Sequence, residues 1–141
     1  MNLYDQLTDW IKTSYDTISS DWLYFNAVRM DMGSNSVNSV SGSMITEKYM
    51  DGSTENELTF AIALVRLYSA EMSDDNVNAI NEVANLVEFF KTETTLPNFG
   101  TDKVVNSIEI TQDIPDIVVD QDAGLCKYQI QGKVQFLQLA Q

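Results

Sequence analysis

The strongest constraint on the fold is a two-residue alternation near the C-terminal end of the chain. Cys126, Tyr128, Ile130, Val134 and Phe136 alternate there with Lys127, Gln129, Gln131, Lys133 and Gln135. Successive side chains of a strand point to opposite faces, so this pattern predicts an antiparallel strand with one buried and one wet face. Gly132 interrupts the apolar phase, which predicts a bulge or a close backbone approach. At ~3.3 Å per residue the strand reaches about 50 Å, so we expect part of it to extend into a partner.

Two other segments have the spacing of amphipathic helices. The first covers residues 3–18. The second begins at residues 73–76, whose small polar and acidic side chains suit a helix N-terminus, and continues to about Thr92. The apolar positions of this second helix are Val77, Ile80, Val83, Ala84, Val87 and Phe90.

The remaining segments predict strands and connections. Strands are expected at residues 22–32, 44–50, 57–69 and 104–111, with a turn at Asp51-Gly52-Ser53. The strand at 57–69 is apolar on both faces, which predicts cover on both sides, either by a neighbouring subunit or within one subunit. Residues 33–43 carry no charge and five serines, which predicts a flexible loop. Ile114-Pro115 predicts a break, followed by an acidic loop.

Together these elements predict one α+β domain over residues 1–141. Two helices are expected to pack on one face of a largely antiparallel sheet that has a long hairpin and loop. An apolar fraction of 44% is enough to fill a core at this length.

The charge of the chain excludes several classes of function. The sequence has 21 acidic and 8 basic side chains, a net charge of -13, and no histidine. Gripping of phosphates needs clustered Lys and Arg, and triads need an imidazole base, so nucleic-acid binding through a basic footprint and ordinary hydrolase chemistry are not expected. The longest apolar run, residues 60–65, is far shorter than the ~20 residues that cross a bilayer. We expect no enzyme activity, cofactor, metal or membrane contact.

The local candidates for chemistry have simpler explanations. Asp120-Gln121-Asp122 resembles the start of a calcium loop, but Gly124 and Gln131 stand at later ligand positions, so a solvated acidic loop is the better interpretation. Carboxylates near the hairpin turn could act as an acid–base pair, but such acids are usually only solvated. Cys126 lies on the apolar phase of its strand and is expected to be buried and inert.

Two stretches resemble a known family. Glu47-Lys48-Tyr49-Met50-Asp51-Gly52-Ser53 leads into Leu58-Thr59-Phe60-Ala61-Ile62, and Lys127-Tyr128-Gln129-Ile130-Gln131-Gly132-Lys133 lies in the last strand. Together with the length and the order of elements, they make the chain similar to the minor capsid, or tail terminator, proteins of long-tailed bacteriophages and prophages. Gly132 departs from the bulkier residue, often cysteine, that this family has there.

The resemblance implies a structural virion protein at the head–tail junction, made in the host cytoplasm. Tail terminators form a ring, usually a hexamer, that caps the tail tube of major tail protein and provides the docking surface for the head connector. DNA passes through the lumen without specific binding. The family has no catalytic residues, so none are carried over.

Two sets of residues are candidates for this function. Contacts with neighbouring subunits or the tube are expected from the loop and the adjoining strands, at Met32, Val37, Val40, Met44, Leu58, Phe60, Gln129 and Gln131. A surface that repels DNA is expected from Asp113, Asp116, Asp120 and Asp122. The alternative function is an acidic binding or inhibitor module that mimics DNA and occupies a nucleic-acid-binding protein.

Overall fold

The computed structural model describes residues 3–14, 23–25, 35–40, 45–67, 74–93, 95–120 and 124–140. Within them, two helices and six strands follow one another along the chain. They are α1 (Leu3–Ser14), β1 (Leu23–Phe25), β2 (Asn35–Ser39), β3 (Ile45–Lys48), β4 (Thr54–Leu67), α2 (Asp74–Thr92), β5 (Lys103–Asp120) and β6 (Leu125–Gln138).

The strands form one open sheet in the order β1-β2-β4-β6-β5, and β3 pairs with β4 beside this path. Among the pairings of the described strands, that of β1 with β2 is parallel and the other four are antiparallel. The long strands β4 and β6 lie side by side in register from Thr54↔Gln138 to Leu67↔Leu125. The sequence led us to expect that part of β6 extends into a partner. This expectation is wrong, because β6 is paired within the chain, with β4 on one side and β5 on the other.

Both helices pack on the same face of the sheet, which confirms the predicted α+β class. The hydroxyl of Tyr4 in α1 donates a 2.7 Å hydrogen bond to the Thr59 carbonyl in β4. The Trp10 ring lies 6.0 Å from that of Phe90 in α2, and the Phe90 ring lies 5.8 Å from that of Phe60 in β4. The core thus lies between the helices and the even-numbered residues of β4 and β6.

The alternation in β6 appears as predicted, with buried and half-buried residues following one another along the strand. Gly132 is a point of close approach, because a Cβ atom there would lie 2.7 Å from the Glu109 carbonyl oxygen and 2.7 Å from Cζ of Phe60. The aromatic ring of Phe60 occupies the space that a side chain at position 132 would need.

Burial of both faces of β4 occurs within the chain. Ala61, Ala63 and Val65, on the face away from the helices, are as well buried as the residues of the core face. No neighbouring subunit is needed to explain the apolar residues on both sides of this strand.

Two sequence-based expectations about connections are wrong. Residues 35–39 of the predicted serine loop form β2, which pairs with β4 from Asn35↔Leu64 to Ser39↔Phe60 and buries Val37. The predicted acidic loop after Ile114-Pro115 is strand as far as Asp120; the predicted break itself is an irregularity within β5, because residues 113–115 have no register partner in β6 and pairing resumes at Asp116. In β2, backbone pairing with a long neighbouring strand outweighs the weak strand propensity of serine and asparagine. In β5, the β-branched residues Ile117, Val118 and Val119 continue the strand beyond Pro115.

Candidate interaction surfaces

The structure removes three residues from the predicted set of contact residues. Val37, Leu58 and Phe60 are buried in the chain's own core, with exposures of 0%, 6% and 0%. They lie on the sheet face that the helices cover, because β2 and β4 turn these positions toward the core. The prediction that these three side chains contact a neighbouring subunit or the tube is therefore wrong.

The other predicted contact residues are placed differently. Gln129 and Gln131 are half-buried on the sheet face away from the helices, opposite Ala63 and Ala61 of β4. Val40 is half-buried just after β2. Met32 and Met44 lie outside the described residues.

A polar network crosses three strands on the face away from the helices, which we call the open face because neither α1 nor α2 packs on it. The carboxylate of Glu57 in β4 accepts hydrogen bonds from Nε2 of Gln135 at 3.0 Å and Nζ of Lys133 at 3.3 Å, both in β6. Lys133 also pairs with Glu109 of β5 at 3.3 Å, and Ser107 donates to Gln135 at 3.0 Å. Hydrogen bonds from Gln135 and Lys133 hold the pKa of Glu57 below its usual value. In turn, hydrogen bonds to Glu57 and Glu109 raise the pKa of Lys133.

The predicted acidic surface is only partly described. Asp113, Asp116 and Asp120 lie in β5, not in a loop, and Asp122 lies outside the described residues. Of these side chains, that of Asp116 is described and is exposed. Its register partner Gln129 places it on the open face of the sheet. Asp116 forms no ion pair among the described residues.

A surface that the sequence analysis missed lies where α2 meets the outer edge of the sheet. Three residues of α2 and three of β5 line an apolar groove of about 270 Å³, which we call the edge groove: Ile80, Val83, Ala84, Ile114, Pro115 and Ile117. Ile80, Ile114 and Ile117 are 44%, 79% and 53% exposed. The signal was present in the sequence, because the apolar stripe of α2 begins at Val77 and Ile80, where the structure leaves it uncovered.

A second exposed apolar patch lies on the β3–β4 hairpin. We call it the hairpin patch; it consists of Ile45, Tyr49 and Met50, and the Met50 side chain is fully exposed at 107%. The turn that presents it is built by Asp51, whose carboxylate accepts hydrogen bonds from the backbone and hydroxyl of Ser53, and by Gly52 at a φ of 92°. These two hydrogen bonds lower the pKa of Asp51.

Cys126, Asp51 and Glu57, which could in principle be catalytic, each have a structural role in the described residues. Cys126 is fully buried, and the desolvation raises the pKa of its thiol, which disfavours the reactive thiolate. Asp51 serves the turn and Glu57 serves the network, as described above. Among the residues described, no group of three or more Cys, Asp and Glu is arranged to hold a metal ion, and neither helix has the length and apolar character to cross a membrane.

The comparisons with known proteins leave these surfaces unassigned. No protein-family model and no curated protein matches this sequence.

Proposed function

We propose that this chain is a structural subunit of a phage tail, a tail terminator that forms a ring on the end of the tail tube and receives the head connector. The proposal starts from the resemblance of the hairpin and last-strand sequences to that family. A subunit that closes a ring or stands between two different assemblies needs at least two unlike contact surfaces. Our structural support for the proposal is a pair of such surfaces.

The hairpin patch and the edge groove are unlike in shape and lie far apart. The hairpin adjoins the Thr54 end of β4, whereas the register Ile117↔Tyr128 and Leu64↔Tyr128 places the groove ten residues further along. At ~3.3 Å per residue the two sites are separated by roughly 33 Å along the strands. One patch lies on the β3 side of the sheet and the other on the β5 side. A single neighbour with one small binding site cannot cover both.

The charge of the chain fits the same role. With -13 charges, a surface facing a lumen repels DNA phosphates, so the genome can slide through without binding. Many described carboxylates also have internal partners, including Glu57, Asp102 and Glu82. This favours a solvated structural domain over a DNA mimic, in which acids would be free and spaced as phosphates are.

The proposal can be tested by electron microscopy of the full chain with tail tubes. The proposal predicts that a neighbouring gene encodes a major tail protein, and on tubes assembled from that protein we expect rings at the tube ends and arrest of tube growth. Met50→Asp is expected to abolish capping, because it places a charge in the hairpin patch. Thr101→Asp adds the same charge at another exposed turn and is expected to leave capping unchanged. A protein that stays monomeric in light scattering and does not bind tubes would refute the proposal.

A further inference from the structure

We propose that the edge groove and the adjoining end of β5 bind an extended segment of another protein, in which apolar and basic residues alternate. The segment would add a strand beside residues 116–120. This inference goes beyond the tail-terminator proposal and does not depend on ring formation.

The backbone of β5 provides the first part of the site. In the described sheet β5 pairs with β6 alone and forms the outer edge. After the irregularity between Gln112 and Asp116, its register with β6 is regular from Asp116↔Gln129 to Asp120↔Leu125. The outer N–H and C=O groups of such a stretch can pair with an added strand, a common mode of peptide recognition.

The helix-side face of this stretch is apolar. Ile117 and Val119 lie opposite the core residues Tyr128 and Cys126, yet they are 53% and 39% exposed. Ile117 opens directly into the edge groove beside Ile80 of α2. Every second residue of an added strand would face these side chains, and an apolar residue there would be removed from water by the groove.

The open-sheet face of the same stretch carries an exposed carboxylate. Asp116 is exposed there and forms no ion pair among the described residues, and Lys127 lies two register positions away, opposite Val118, which is 57% exposed on the same face. Between Lys103 and Lys127 the sequence has five carboxylates and no lysine or arginine. Opposite charges on directly facing strands stabilise a pair, so the residues of the added strand on this face would be Lys or Arg.

The same charges disfavour a second copy of this chain as the occupant. Pairing of two β5 edges would bring acidic segments together in two molecules that each carry -13 charges. The strand of this chain that does alternate apolar with basic and polar residues is β6, and its two neighbours already occupy both of its edges. Charge complementarity therefore points to a different, basic protein.

The test uses the full chain and a labelled synthetic peptide of alternating Lys and Val, with binding measured by fluorescence anisotropy at two salt concentrations. Two comparison peptides have alternating Glu and Val, or the Lys and Val residues in separate blocks. We expect binding of the alternating basic peptide alone. Ile117→Ser should weaken it by about tenfold, whereas Val104→Ser, at a similarly exposed site on the same strand, should not.

A second variant pair tests the charge. Asp116→Asn should weaken binding at low salt and reduce its salt dependence, whereas Asp9→Asn on α1 should change neither. An unchanged affinity in Ile117→Ser, or equal binding of the blocked peptide, would overturn the proposal in favour of attraction to net charge. Equal losses in Val104→Ser and Ile117→Ser would overturn it in favour of apolar contact along the whole strand. A wild-type oligomer that Ile117→Ser dissociates in light scattering would overturn it in favour of a second copy. Absence of rings in the tube experiment would leave this result untouched.

Discussion

A side chain at position 132 provides the sharpest test of the packing between sheet and helices. In Gly132→Ala, the new Cβ would meet the Glu109 carbonyl and the Phe60 ring, both at 2.7 Å. The carbonyl is fixed by the β5–β6 ladder, and the Phe60 ring is fully buried against Phe90. Overpacking of this kind costs about 1–3 kcal/mol. Alanine also restricts the unfolded chain more than glycine does, and this stabilisation offsets about 0.5–1 kcal/mol of the cost.

Because neither neighbour can move away, the cost lies in the upper part of this range, and we expect Gly132→Ala to lower the free energy of unfolding by about 1–2 kcal/mol, measured by urea denaturation. Phe60→Leu removes the Cζ atom but leaves the carbonyl, so the double variant should be less destabilised than the sum of the two single variants by about 0.5 kcal/mol or more. Gln131→Ala, next along β6 on the open face, is the control and should cost less than about 1 kcal/mol. An unchanged or raised free energy of unfolding in Gly132→Ala would refute the close approach.

Three further predictions concern the open-face network, the hairpin turn and the buried thiol. The folded-state pKa of Glu57 is lowered, so its ionised form stabilises the fold above the unfolded-state pKa of about 4.5, and this contribution is lost as the pH falls through the folded-state pKa. The urea midpoint of Glu57→Gln should therefore lie below wild type at pH 7, and the gap should narrow as the pH falls below about 4.5; a gap that stays constant would contradict the assignment. Gly52→Ala should cost about 1–2 kcal/mol in the same assay, because alanine rarely adopts a φ of 92°; a neutral result would argue against this turn geometry. Cys126 should react with an aromatic disulfide reagent only after urea is added, and a rapid reaction of the native protein would show that the thiol is accessible.

The parts of the fold that followed from the sequence are those with a strong internal period. β6 alternates from Cys126 to Phe136, and α2 repeats its apolar residues at intervals of three and four, so each pattern predicts both the type of element and its buried face. β2 has no such signal, since Val37 is the one large apolar side chain in Asn35–Ser39. It is a strand because β4 offers it a ladder of backbone hydrogen bonds, and that partner is distant in sequence.

Contact surfaces were harder to predict than elements, for a related reason. The alternation in β4 shows that Leu58 and Phe60 share a face, but both faces of that strand are apolar. Which face the helices cover depends on tertiary packing, and the helices cover the face with Leu58 and Phe60. The edge groove is the converse case, an exposed apolar surface that was not predicted. Pro115 was taken to end the strand, but it lies where residues 113–115 have no partner in β6, so its missing N–H removes no ladder hydrogen bond and pairing resumes at Asp116.

The residues along the β5 edge do more than prevent the edge from pairing with other copies of this chain. Proline, acidic residues and irregular register are devices that keep an exposed edge from pairing with copies of itself. β5 has all three, yet beside them it leaves Ile114 and Ile117 exposed over a groove instead of replacing them with polar residues. An edge that needed only to avoid aggregation would have no reason to keep that apolar surface, whose exposure is unfavourable in water. Acids that repel the same chain and a groove that takes an apolar side chain together select a partner, and the partner they select is basic.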